Sequence, residues 1–258
     1  MTGPAGVSAL VLAETVVGGL AILYLSPLWG EVKRGFFTLT TGILAALAFA
    51  AWGSARAGAV AGDVDGERAV TVALAVAVAT GLATLAYLLR RPAVGRLIGF
   101  ASVALGVVLL AALAATGEAG FVVAALQLAA GAAFLGAVLD GLLLGHWYLT
   151  DRRLTRTPIL RATMTLGVGV VLEAAAIAIG GFGPTSSSQA FNPLLTSAGL
   201  ASWIALGMVG TTGLVAVFVR ATLRGERPSA VQAATGFLYL AVITALTAEF
   251  AAKVRFLP

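Results

Sequence analysis

The chain's character is set by residues 6–29, GVSALVLAETVVGGLAILYLSPLW, 24 residues with a single charged side chain, Glu14. As an α-helix such a run rises ~36 Å at 1.5 Å per residue, more than a hydrocarbon core about 30 Å thick. A helix apolar around its whole circumference belongs in a membrane or a large core. Seven comparable runs follow, at 36–54, 68–90, 93–115, 119–148, 158–181, 194–221 and 230–252. The expected fold is therefore all-α: one integral membrane domain over 1–258, built as a transmembrane bundle of eight spans. No stretch shows the alternation of a barrel strand.

Composition agrees. The chain is 60% hydrophobic and only 10% charged, where soluble domains carry about 25% charged residues. That excludes a soluble globular domain, and high hydropathy excludes a disordered chain. The opening MTGPAG lacks a basic flank, so the first run reads as a retained helix rather than a cleaved signal. Thirty-two glycines suit close helix packing in lipid.

The chain has no cysteine. Disulfides, thiolate zinc sites and all-cysteine iron–sulfur clusters are thereby excluded. His146 is the sole histidine, so one chain cannot hold a bis-histidine haem. A His146–Met164 haem pair has nothing but residue type in its favour. No haem, iron–sulfur cluster or zinc is expected on this chain alone. Handling electrons would need an organic ligand, such as a quinone, or a partner subunit.

The net charge of +5 could suggest nucleic acid, but the basic residues sit in short loops and set orientation instead. Lys33, Arg34, Arg90, Arg91, Arg96, Arg152, Arg153, Arg156, Arg161, Arg220, Arg224 and Arg227 fall on one side, 12 of the 16 basic residues. Only Arg56, Arg68, Lys253 and Arg255 fall on the other. The positive-inside rule then puts both termini outside the cytoplasm. The acidic Asp63, Asp65 and Glu67 and the uncharged segment GPTSSSQAFNP at 183–193 share that outer side. The setting is a bacterial or archaeal cytoplasmic membrane. A faint internal repeat of 1–115 and 119–258 lines up AETVVGGLA with LQLAAGAAF, pairing Glu14 with Gln127 and Gly18 with Gly131.

A charge at mid-bilayer costs about 2.5–3.5 kcal/mol on insertion scales, so intramembrane polar residues are the informative ones. Glu14, Gln127 and Glu173 each lie about 12 Å below the outer end of their span at 1.5 Å per residue. Glu249 lies near the outer end of the last span, and Lys253 follows at i+4 on the same face. Clustered carboxylates favour a shared proton, which suits proton transfer or quinol chemistry. The plain alternative is interhelical hydrogen bonding without chemistry.

A second polar group closes span 5, LDGLLLGHWYLTDRRLTR. It contains Asp140, His146, Trp147, Tyr148, Arg152 and Arg153. Trp147 and Tyr148 read as interface anchors and the arginines as headgroup contacts. Asp140 and Trp147 share a helical face that His146 does not, so this helix offers no Asp–His dyad.

Two local features resemble the membrane-anchor subunits of the DMSO-reductase and polysulfide-reductase type. In the first span, Glu14-Thr-Val-Val-Gly18-Gly19 is similar to that family's polar residue followed by a glycine pair. In the last, Ala248-Glu249-Phe-Ala-Ala-Lys253-Val-Arg-Phe256 resembles its terminal Gly-Glu-x-x-x-Arg-x-x-Phe, with Lys253 replacing the arginine. Eight helices with both termini outside also suit that family. The resemblance implies a quinone site in the anchor and partner subunits that carry iron–sulfur or cytochrome centres. The family uses a histidine near the outer end of its second or third helix, and residues 50–68 have none. What carries over is limited to Glu14, Glu249 and Lys253.

The expected function is thus the membrane anchor subunit of a respiratory-type oxidoreductase complex. Its quinone-binding or proton-transfer residues would be Glu14, Gln127, Glu173, Glu249 and Lys253. By itself it reads as a non-catalytic subunit rather than an enzyme. A proton-coupled secondary transporter is the alternative, although all eight prolines fall at span ends or in loops. A purely structural membrane subunit is a further alternative, and a lipid-modifying enzyme working with His146, Tyr148 and Arg152 ranks last.

Overall fold

A computed structural model describes residues 1–26, 28, 31–117, 120–151, 154–182, 200–225, 229–254 and 256. Within them lie α1 (Gly3–Leu25), α2 (Arg34–Gly58), α3 (Val64–Leu88), α4 (Pro92–Ala114), α5 (Phe121–Thr150), α6 (Thr157–Gly180), α7 (Leu200–Leu223) and α8 (Ala230–Lys253). All eight are long and apolar enough to cross a membrane, and the described residues contain no strand. Arg152, Arg153 and the segment 183–193 lie outside the described residues.

Local chemistry sets the helix ends. Pro4, Pro92 and Pro158 stand in the first turns of α1, α4 and α6, where a missing N–H costs nothing. Asp63 caps α3 by accepting from the Gly66 N–H at 3.0 Å, with Asp65 and Glu67 in the first turn. The first helix stops at Leu25, four residues before the expected end. Ser26 is extended there (φ −84°, ψ 157°), because the residue preceding a proline avoids the helical region. The fifth helix runs to Thr150 rather than 148, and α6 ends at Gly180, followed by Gly181 with φ +80°, a conformation that suits glycine.

The helices form two groups of four. In the first, α1 packs on α2 and α4, and α3 packs between α2 and α4. In the second, α5 packs on α6 and α8, and α7 packs between α6 and α8. The two groups join along α1 and α5, which is why α1 is the most enclosed of the eight helices. That joint depends on glycine. A Cβ on Gly18 would lie 1.7 Å from the Ala132 carbonyl oxygen, and one on Gly136 would lie 2.2 Å from the Gly18 carbonyl carbon. Only two bare backbones can approach this closely.

The outer faces of α3, α4, α6 and α7 expose large apolar side chains, among them Leu85, Leu97, Val171 and Val217. In lipid such faces need no polar cover. At the arginine-rich end, Lys33 pairs with Asp151 at 2.8 Å and Arg161 with Glu31 at 2.6 Å. Arg156 hydrogen-bonds the Gly225 carbonyl just past α7, where a cation complements the helix dipole. At the other end the Met1 ammonium pairs with Asp63 at 2.9 Å.

Candidate functional site

The carboxyls of the terminal end come from three helices and meet one ammonium. Glu14 lies on α1, Glu173 on α6, and Glu249 with Lys253 on α8. All four are almost wholly buried, at 0%, 1%, 0% and 2% exposure. The Lys253 Nζ lies 2.8 Å from Glu14 Oε1 and 3.0 Å from Glu249 Oε2. Glu173 reaches the group from α6, close enough for its carboxyl to feel the charges of Glu249 and Lys253. The i,i+4 spacing of Glu249 and Lys253 thus does what it promised, and the same ammonium also reaches across to the first helix.

Backbone shape makes room for this cluster. The Glu14 carboxyl lies against Gly131 of α5, where a Cβ would stand 2.4 Å from Oε1. Gln127, one turn before Gly131, presses its side-chain amide onto Gly180, where a Cβ would be 2.2 Å from Nε2. A cavity of about 70 Å³ adjoins the cluster, lined by Gln127, Glu173, Gly181, Ser202, Lys253 and Phe256 among others. A cavity of that size and polarity admits a few waters. Ser202 donates to the Gly181 carbonyl at 2.9 Å beside it.

Charge balance decides what such a cluster can do. With all three carboxyls and the lysine ionised it would carry a net −2 in a buried site. Each uncompensated buried ion costs several kcal/mol. A proton taken up by any of the carboxyls would lower that cost, and the cluster borders a cavity of about 70 Å³.

All five terminal-end residues singled out in the sequence therefore stand together. Ser202 was not foreseen; a lone serine in an apolar run gives no signal until its helix is placed beside Gly181.

The arginine-rich end is different. Asp140 on α5 is 3% exposed, and neither carboxyl oxygen has a hydrogen-bond partner among the described residues. His146 faces elsewhere: its Nε2 lies 2.6 Å from the Tyr239 hydroxyl of α8, and the rings meet edge-on at 5.3 Å. No Asp140–His146 contact occurs among the described residues. Trp147, half-buried, and Tyr148, buried, both make contacts within the bundle. Trp147 lies edge-on to Phe36 at 6.0 Å and against Gly35, while the buried Tyr148 donates to the Thr155 carbonyl. The predicted inner group therefore divides into three separate contacts.

No group of three or more potential metal ligands occurs among the described residues. Compared with protein-family models, with curated proteins and with solved structures, the chain matches none.

Proposed function

We propose that this chain is the integral membrane subunit of a quinol-linked electron-transfer complex, and that its Glu14–Glu173–Glu249–Lys253 cluster passes protons to the outer face. The observation that carries the reading is the convergence of three buried carboxyls on one ammonium beside a cavity of about 70 Å³. The cavity is too small for a quinone ring, so the cluster's part is the proton rather than the ring. Lys253 holds net charge down while a proton moves between Glu173 and Glu249. Gln127 and Ser202 supply polar groups for waters leading out past Gly181. Partner subunits supply the redox centres that a chain without cysteine lacks.

The test is gentle solubilisation from native membranes, identification of co-purifying subunits, and quinol-linked turnover of the intact assembly. Co-purifying iron–sulfur or cytochrome subunits are expected. Glu249→Gln should lower turnover at least tenfold with the assembly intact, within the range ascribed to a positioned proton-transfer group, about 10²–10⁴-fold. Unchanged turnover would remove the proton role. A partner-free chain would replace the anchor with a proton-coupled carrier.

A further inference from the structure

We propose that the cavity bordered by α5, α6, α7 and α8 at the terminal end binds one monovalent inorganic cation, held by the Glu173 carboxylate with neutral oxygens from Gln127 and Ser202. This goes beyond the proton role above. It gives the same region a resident ion and does not depend on the quinol-linked reading.

Three observations carry it. The first is Glu173, which is 1% exposed and lines the cavity of about 70 Å³. Its Oε2 is shut away without a hydrogen-bond partner among the described residues, so Oε1 is the oxygen left to face the space. Lys253 borders the cavity too, but its Nζ is held by Glu14 at 2.8 Å and Glu249 at 3.0 Å. Two ionised carboxyls on one ammonium already leave a net −1, so Lys253 does not also neutralise Glu173. A buried carboxylate without a counter-charge is costly. What it lacks is a positive charge small enough for the cavity.

The second is the neutral lining. Ser202 spends its proton on the Gly181 carbonyl at 2.9 Å, so it can turn only oxygen lone pairs towards an occupant. The Gln127 amide nitrogen lies against Gly180, and the amide oxygen is what Gln127 adds. Oxygen donors of this kind suit hard cations.

The third is the pair of helix ends. The last turns of α6 and α8 both border the cavity, through Gly180 and through Ala252 and Lys253. A helix C-terminus carries roughly half a negative charge. Helix C-terminal ends and their carbonyls coordinate sodium ions in membrane transporters.

The donor set also fixes the charge of the ion. Calcium takes about 6–8 oxygen ligands, commonly from several carboxylates. Here Glu14 and Glu249 are engaged by Lys253, and no group of three or more acidic or histidine side chains that could hold a metal ion occurs among the described residues. One carboxylate with neutral oxygens matches a single positive charge.

The probe is sodium alone, as radiolabelled sodium chloride titrated onto the purified full chain in phosphatidylcholine nanodiscs, with choline chloride holding ionic strength constant. One saturable equivalent is expected, together with a rise in unfolding temperature that choline does not reproduce. Glu173→Gln keeps the shape and removes the charge. It should weaken binding at least tenfold and abolish the sodium-dependent rise. Ser202→Ala and Gln127→Leu should each weaken binding a few-fold. Asp140→Asn, at the arginine-rich end, should bind sodium as the wild type does, and an equal loss there would place the ion elsewhere and overturn the site. Absence of saturable binding, which would leave water alone in the cavity, would also overturn it. So would wild-type affinity in both Glu173→Gln and Ser202→Ala, or tighter binding of calcium than of sodium. The two proposals fail separately. No sodium binding, in an assembly whose turnover still falls in Glu249→Gln, removes the cation and spares the proton role. Saturable sodium binding by a chain that purifies without partner subunits does the reverse.

Discussion

Asp140 and Glu249 are both carboxyls buried in apolar helices, and their surroundings could hardly differ more. Glu249 has an ammonium at 3.0 Å that also lies 2.8 Å from Glu14, and their cluster borders a cavity of about 70 Å³. Asp140 has no hydrogen-bond partner among the described residues and stands beside a cavity of about 300 Å³. The protein completes one carboxyl internally and leaves the other incomplete. A closed cluster suits a proton, which needs no room. The contrast sets a charge-paired cluster against a single buried carboxyl with no hydrogen-bond partner among the described residues.

The sharpest way to break this comparison is to remove one member from each region. Lys253→Met leaves Glu14 and Glu249 buried without their counter-ion, and breaking a buried pair typically costs about 3–5 kcal/mol. Asp140→Leu removes a group with no hydrogen-bond partner among the described residues, so the fold should be unharmed or slightly more stable. Thermal unfolding in one detergent compares the two directly. The triple change Glu14→Gln, Glu249→Gln, Lys253→Met should recover most of the loss, because Glu173 is then the one ionisable group of the four that remains. Equal losses in Lys253→Met and Asp140→Leu would erase the distinction.

Much of the fold was legible in the sequence because membrane burial is a matter of composition. Eight apolar runs became eight helices, with ends shifted by local effects such as the extended Ser26 before Pro27. Glu249 and Lys253 could be paired on the page, since an i,i+4 spacing fixes their relation within one helix. Glu14 could not be added to them, because it is 239 positions from Lys253 and nothing in an apolar helix announces its neighbour. Depth placed Glu14, Gln127 and Glu173 at one level, and packing turned that level into a site. At the other end, the 3.6-residue period correctly kept Asp140 and His146 apart. It could not reveal Tyr239 as the partner of His146, nor that Trp147 would turn inward onto Phe36.

A smaller effect tests how tightly the closed cluster is held. Gly131→Ala sets a Cβ 2.4 Å from Glu14 Oε1, so the carboxylate must move or α1 and α5 must part. Overpacking of this kind costs about 1–3 kcal/mol. The loss should shrink in Glu14→Ala, where the obstructed side chain is gone, and a double-mutant cycle measures the difference. An undiminished loss would place the strain in the helix backbones instead.

The smallest effect concerns a carboxyl outside the spans. Asp63 caps α3, and the Gly66 N–H together with the Met1 ammonium holds its carboxyl below the usual range. A carboxyl depressed on folding stabilises in its ionised form. That contribution is complete above the unfolded value of about 3.9 and is lost as pH falls through the lower folded value. Asp63→Ala should cost about 1 kcal/mol at neutral pH, the ordinary worth of an N-cap. In acid below the folded value the gap from the wild type should narrow, because the native carboxylate has taken up its proton. Glu249→Gln and Asp63→Ala should also be additive, their sites having no common partner. A pH-independent gap would mean that Asp63 acts through its neutral hydrogen bond alone, and that the α3 cap draws nothing from charge.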